Sequence, residues 1–225
     1  MEILVISCLH NDVENMMTLS DRLQNRKFDV VVCPGDFTDF KLPPGFTRLD
    51  LTKLVIEELK LLAKNVVAVP GSWDKDIIGV LDKEKVSVHG KGKIIDGVGF
   101  YGFGGARTPF NTPFEPSEEE IENGLKNAYF QVVGADVKIQ VTHMPPVDTR
   151  ADIIFSGAHV GSNVVRKFIE EKKPAAAICA HIHEARGVDT LDRTKIVNSG
   201  RFPEGYVGIL SIKDGTVQAE VVNLI

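Results

Sequence analysis

Short apolar runs alternate with amphipathic stretches along this chain, and most runs stop at a glycine, a proline or a polar residue. Residues 2–7 read as a buried strand. Asn11 or Asp12 caps a helix running to about Lys27, with Val13, Met16, Met17, Ser20 and Leu23 on one apolar-to-small face. Asp29–Cys33 is a second strand, stopped by Pro34-Gly35, and 37–48 is a loop around Pro43-Pro44-Gly45. Leu51, Val55, Leu59 and Leu62 fall at helical spacing. Val66–Val69 is a third strand, stopped by Pro70-Gly71, and a short helix is expected over 75–81. Strand, helix, strand, helix, strand implies parallel pairing through right-handed crossovers.

The middle of the chain changes character. Lys93–Asp96 and Val98–Phe103 flank Asp96-Gly97, a hairpin signal. A loop opens at Gly104-Gly105. Ser117 with Glu119 and Glu120 starts a helix carrying Ile121, Leu125, Ala128 and Val132. Val137–Thr142 is a strand, 147–160 is loop-like, and Gly161-Ser162-Asn163 caps a helix with Val164, Val165, Phe168 and Ile169. A small apolar strand begins at Ala175. Lys195–Asn198 and a hairpin around Asp214-Gly215 close the chain. Parallel units with antiparallel hairpins predict two packed sheets with helices outside. No linker or internal repeat divides residues 1–225, so a single domain is expected.

Chemistry collects at the strand ends. His10, Asp36, Asp39, Asp74, His143, His181 and His183 each follow an apolar run, where open α/β sheets place their ligands. Imidazole and carboxylate suit divalent transition ions, so these residues are expected to meet around one or two metal ions. For His181 and His183 the plainer alternative is a hydrogen-bonded surface pair; for Asp36, a turn cap. Cys8 and His10 alternate and can share one face, though Cys8 serves equally as a small buried thiol. Cys33 and Cys179 read as packing residues. Ser72 is a poor neutral ligand, and Trp73 neither ligates nor shuttles a proton, so it reads as a pocket wall. Asp74 either supports the ligands from behind or caps the 75–81 helix. The stretch around His159 leads into a helix start that could hold an anion through backbone N–H groups. His89 looks like a surface turn residue.

The totals narrow the partners. A net charge of −5 without a basic cluster argues against a nucleic-acid surface. No apolar stretch approaches a membrane span. Three widely spaced cysteines do not make a disulfide framework, and with no signal peptide a cytoplasmic location is expected.

In order, His10, Gly35-Asp36-x-x-Asp39, Gly71-x-x-Asp74, Thr142-His143-x-Pro-Pro146 and His181-x-His183 resemble the motifs of the calcineurin-like metallophosphoesterases. The likeness runs from the first strand to about Gly200. The stretch His181–Gly187, the Gly161-Ser162 helix start and Asn198-Ser199-Gly200 look most like its small single-domain prokaryotic members. The resemblance implies a four-layer αββα sandwich of two mixed β-sheets flanked by helices. It implies that position 8, His10, Asp36 and His183 hold one ion, that Asp36 bridges, and that position 72, His143 and His181 hold the second. A bridging hydroxide would attack phosphorus, with Asp36 and His143 central to the chemistry. Asp39, Trp73, Asp74, His159 and Asn198 fall to the substrate pocket or to support behind the ligands.

Three positions depart from the pattern: Cys8 stands for the usual Asp, Ser72 for Asn and Trp73 for His. A Cys8 thiolate favours zinc, and manganese, iron or nickel are also preferred over magnesium. Losing the imidazole at 73 removes a contribution of roughly 10²–10⁴-fold in rate. The expected function is hydrolysis of a small phosphomono- or diester. The alternative is a catalytically weakened scaffold that binds a phosphorylated ligand or a protein partner. An exonuclease is disfavoured by the acidic balance. The oligomeric state is open.

Overall fold

The computed structural model describes residues 1–23 and 26–224. One sheet contains β1 (Glu2–Val5), β2 (Phe28–Cys33), β3 (Ala63–Ala68), β10 (Tyr206–Lys213) and β11 (Thr216–Asn223), in the order β11-β10-β1-β2-β3. The second contains β4 (Lys91–Ile95), β5 (Val98–Phe103), β6 (Val137–Thr142), β7 (Ala176–Cys179), β8 (Gly187–Leu191) and β9 (Thr194–Asn198), in the order β4-β5-β6-β7-β9-β8. Both sheets are mixed. β1, β2 and β3 run parallel, as do β5, β6, β7 and β9, while β10, β11, β4 and β8 pair antiparallel at the margins.

Alternation along each strand builds the layers. Ile3, Val5, Val30 and Val32 face inward and meet Ile139, Val141, Ile178 and Val197 of the other sheet. Leu4, Val31 and Cys33 face outward, toward α1 (Val13–Leu23) and α2 (Arg48–Leu62) through Leu19, Val55 and Leu59. On the far side Ala177, Cys179 and Tyr101 pack on α4 (Glu118–Phe130) and α5 (Asn163–Lys172) through Leu125 and Phe168. The result is the expected four-layer arrangement. Among the described residues no helix is long and apolar enough to cross a membrane.

Local signals explain the element ends. Asp12 accepts from the Asn15 N–H (3.0 Å) and starts α1. Thr47 with Asp50, and Ser117 with Glu120, close capping boxes at α2 and α4. Asp96 and Gly97 both have positive φ (47° and 82°), the backbone of a type I′ hairpin.

Some expectations are corrected. The expected end of α1 partly falls on residues 24 and 25, outside the described ones; Arg26 and Lys27 are not helical. Its buried face is Met16, Leu19 and Leu23, and Met17 points to solvent. The 75–81 stretch is a 3₁₀ turn (Lys75–Ile77) followed by α3 (Ile78–Lys83).

His89 is not a surface residue. Its ring lies 4.2 Å from that of Phe103 and 5.5 Å from that of Phe114, and its Nδ1 accepts from the Gly104 N–H at 3.0 Å. Burial pushes its pKa down to about 4. An unfolded chain would protonate it near 6.5. Stability is therefore complete above that value and is lost as the pH falls toward 4. Between about pH 7 and about pH 4.5, urea unfolding should show the wild type losing on the order of 2 kcal/mol more than His89→Gln. Equal losses would sink this account.

Candidate metal centre

Every expected site residue from Cys8 to Asn198, apart from His159, lies at or just beyond the carboxyl end of a parallel strand. Cys8 and His10 follow β1, Asp36 and Asp39 follow β2, and Ser72, Trp73 and Asp74 follow β3. His143 follows β6, His181 and His183 follow β7, and Asn198 ends β9. Main-chain bonds continue past the strands: Cys8 N–H to Gly35 O (2.9 Å), His10 N–H to Asp36 O (3.0 Å) and Ala180 N–H to His143 O (3.1 Å).

The backbone there is bent in a way that few residues adopt. Cys8 (φ 52°), His10 (φ 49°), Asp36 (φ 54°) and His181 (φ 73°) are all left-handed. For non-glycine residues that costs on the order of 1 kcal/mol or more each. Gly35 (φ 106°) makes the turn that presents Asp36. Gly71 packs so closely that a Cβ there would lie 2.1 Å from both the Asp36 nitrogen and Oδ1.

The side chains converge on Asp36. Its Oδ2 lies 3.3 Å from His143 Nε2 and 3.9 Å from His10 Nε2. Its Oδ1 accepts from the Ser72 hydroxyl (3.3 Å) and the Trp73 N–H (3.1 Å). His10 Nε2 faces His183 Nε2 at 3.3 Å, and the rings of His143 and His181 are 5.1 Å apart. Cys8 lies beside both pairs. The donor atoms of Cys8, His10 and His183 are within 4.8 Å of one another, and so are those of Cys8, Asp36 and His143.

The imidazole protons show what the cluster fits. His143 Nδ1 donates to the Pro34 carbonyl at 2.8 Å, so a neutral ring turns a lone pair at Nε2 toward the Asp36 carboxylate. That Nε2 and His10 Nδ1 are buried without a hydrogen-bond partner. Two acceptors facing each other repel unless a proton or a cation lies between them. Burial holds His181 down to about 3 and His183 to about 4, and it lowers His10 as well. These three imidazoles are neutral at pH 7 and can ligate. Burial works against charge on His143, but the adjacent Asp36 outweighs it and raises its pKa. Asp36 itself is held well below the usual range: burial opposes ionisation, and His143 more than offsets it. Burial and the Asp36 charge raise the Cys8 thiol well above its usual value, so a thiolate there requires a nearby cation. The residues present therefore fit divalent metal.

The supporting residues divide clearly. Asp39 Oδ2 lies 3.6 Å from His10 Nδ1, on the side away from the cluster. Asp74 does not cap a helix. It is buried and accepts from Phe37 N–H (3.0 Å), Thr38 N–H (3.2 Å), Thr38 Oγ1 (3.2 Å) and Gly71 N–H (2.8 Å). It thereby ties the turn carrying Asp36 to the turn carrying Ser72. Burial and Asp36 push its pKa up to about 6 against those donors. Asn198 donates to the carbonyls of Ile182 (2.8 Å) and Ala151 (3.2 Å), bracing the His181–His183 turn.

His159 is not brought to the cluster. Its Nδ1 lies 2.7 Å from Asp152 Oδ1. The start of α5 is not an anion site, because Glu118 already fills it, accepting from Ser162 Oγ and Val164 N–H at 2.8 Å each. Cys33 and Cys179 are buried in the two sheet–helix layers, as packing residues. Above the cluster opens a cavity of about 550 Å³, with Trp73 in its wall. Arg107, Phe110 and Phe155 also line it. Sequence reasoning assigned these three only to loops; an arginine among glycines and prolines was the one available signal.

Two facing mixed sheets with imidazoles, a thiol and a carboxylate at their carboxyl ends define a divalent-metal scaffold. The chain belongs to the calcineurin-like phosphoesterase family, whose model matches residues 1–185. The family uses divalent metals. An uncharacterized Methanocaldococcus jannaschii protein, MJ1162, is 39% identical over 186 residues, 79% of each chain. The Thermus thermophilus protein TT1561 superposes with a TM-score of 0.72 at 17% identity, over 97% of both chains. A novel archaeal phosphodiesterase superposes with a TM-score of 0.55 at 15% identity, over 99% of this chain and 100% of its own.

Proposed function

We propose that this protein is a metal-dependent phosphoesterase acting on a small phosphodiester or phosphomonoester. The observation that carries the reading is the convergence of metal-ligating donors, Cys8 with His10 and His183 and Cys8 with Asp36 and His143, each set within 4.8 Å of one another. Cys8, His10, Asp36 and His183 are the donors for one ion; Asp36, Ser72, His143 and His181 are those for a second, more weakly held. Bound there, such ions would draw charge off the phosphate oxygens and lower the pKa of a water between them. In the hydrolysis the water oxygen joins phosphorus, the bond from phosphorus to the leaving oxygen breaks, and the proton lost by water ends on the leaving alcohol. Asp39 lies 3.6 Å from His10 Nδ1 and adds negative charge behind that ring. His181, held neutral by burial, is free to ligate. Trp73 offers no proton, so good leaving groups are favoured. The substrate is a small molecule rather than nucleic acid, and three free buried cysteines suit the cytoplasm.

Purified protein supplied with zinc, manganese, ferrous iron or nickel should hydrolyse p-nitrophenyl phosphodiesters faster than with magnesium. Cys8→Asp should move the preference toward magnesium and manganese on the order of tenfold, because a carboxylate is the harder ligand. No hydrolysis with any of these metals would end the reading.

A second reading, a binding protein that has lost catalysis, is favoured by one observation. The Ser72 hydroxyl donates to Asp36, where a stronger ligand would face a cation. The combined change Cys8→Asp, Ser72→Asn and Trp73→His would then create activity in a protein that has none.

A further inference from the structure

The cavity above the metal centre is walled by Trp73, Pro109, Phe110, Ile154, Phe155 and Val160. Phe110 is 78% exposed and Phe155 is 93% exposed. Phe40, 77% exposed, stands edge-on to Trp73 with ring centroids 5.9 Å apart. Large aromatics left open around one concavity mark a ligand surface more than a packing remainder. The volume, about 550 Å³, lies in the range of small-molecule sites.

Charge sets what can enter. Among the lining residues Arg107 is the only Lys or Arg, and Glu184 lies in the same wall. A polyphosphate or a nucleic-acid strand would meet no cluster of cations. The two loops also border the ligand turn. Phe155 N–H donates to Glu184 Oε1 at 3.3 Å, next to His183, and Arg107 lines the same cavity as His181. The apolar walls thereby stand directly beside the candidate metal donors.

Resting on the phosphoesterase reading, we propose that the group esterified to the phosphate is uncharged and apolar, an alkyl or aryl moiety held between Phe110, Phe155 and Trp73. The phosphate reaches the metal centre and the apolar group fills the cavity. Each methylene fully removed from water is worth about fourfold in affinity. The cavity is open on one side, so the gain here is smaller.

Trp73 is the chain's single tryptophan, so its fluorescence reports on this cavity. Manganese-supplied protein is titrated with methyl-, butyl- and phenylphosphonate, which cannot be hydrolysed as esters. Butyl- and phenylphosphonate should bind about tenfold more tightly than methylphosphonate. Phe110→Ala with Phe155→Ala should reduce that ratio below about threefold, with an unchanged melting temperature because both rings are exposed. Equal affinities across the series, no binding at all, or tighter binding of adenosine monophosphate than of butylphosphonate would overturn the proposal. Size-dependent binding without hydrolysis of any ester would leave it standing and remove the phosphoesterase reading. Ester hydrolysis without size dependence would do the reverse.

Discussion

Asp36→Asn should abolish metal retention and lower phosphodiester hydrolysis by at least about 10³-fold, several kcal/mol of lost charge stabilisation. The carboxylate lies within 4 Å of both His143 and His10. The amide keeps the volume, and its oxygen can still accept from Ser72 and Trp73. What disappears is the negative charge that a shared ligand needs. The melting temperature of metal-free protein should therefore stay within a few degrees of wild type, since the change leaves no cavity. The checks are the metal-to-chain ratio by elemental analysis and turnover at saturating substrate. A variant that keeps both would remove Asp36 from the centre.

Gly71→Ala should be a strongly disruptive methyl at the site. The added carbon would lie 2.1 Å from the Asp36 nitrogen and Oδ1, against backbone on one side and the key carboxylate on the other. Neither can step aside, because Asp74 bonds both turns together. Overpacking of this kind costs about 3 kcal/mol, or about 10 °C in melting temperature for a chain of this size. Metal retention should fail as well. Gly79→Ala is the control. It lies in α3 with nothing within 4 Å of its added carbon, so stability should hold or rise slightly. A Gly71→Ala protein with wild-type melting and metal content would refute this close packing.

The sandwich was legible because its strands carry their own signals. Ile3–Ile6, Val30–Cys33 and Ile139–Val141 are apolar runs with stops, and Asp96-Gly97 and Asp214-Gly215 name their turns. β8 was not legible: Gly187–Leu191 is a half-exposed edge whose Asp189 and Thr190 break any apolar pattern. Met17 is apolar, but helix phase turns it to solvent, and only the neighbours that bury Met16, Leu19 and Leu23 fix that phase. At the cluster, the strand-end rule brought the imidazoles and Asp36 to one place. It could not show that Asp74 would be consumed by four donors, nor that His159 would pair with Asp152. Both depend on which loops meet. His89 failed for the same reason: its burial comes from Phe103 and Phe114, the latter 25 positions away in sequence.

The donors are divided between the two sheets: Cys8, His10, Asp36 and Ser72 come from one, and His143, His181 and His183 from the other. A cation held there would be a rivet through the sandwich. With it in place the layers could not slide or part at that end without stripping it, so loss of the ion and loosening of the interface should be one cooperative event. A chain that folds with its ion carries a lock that its apolar core alone does not supply.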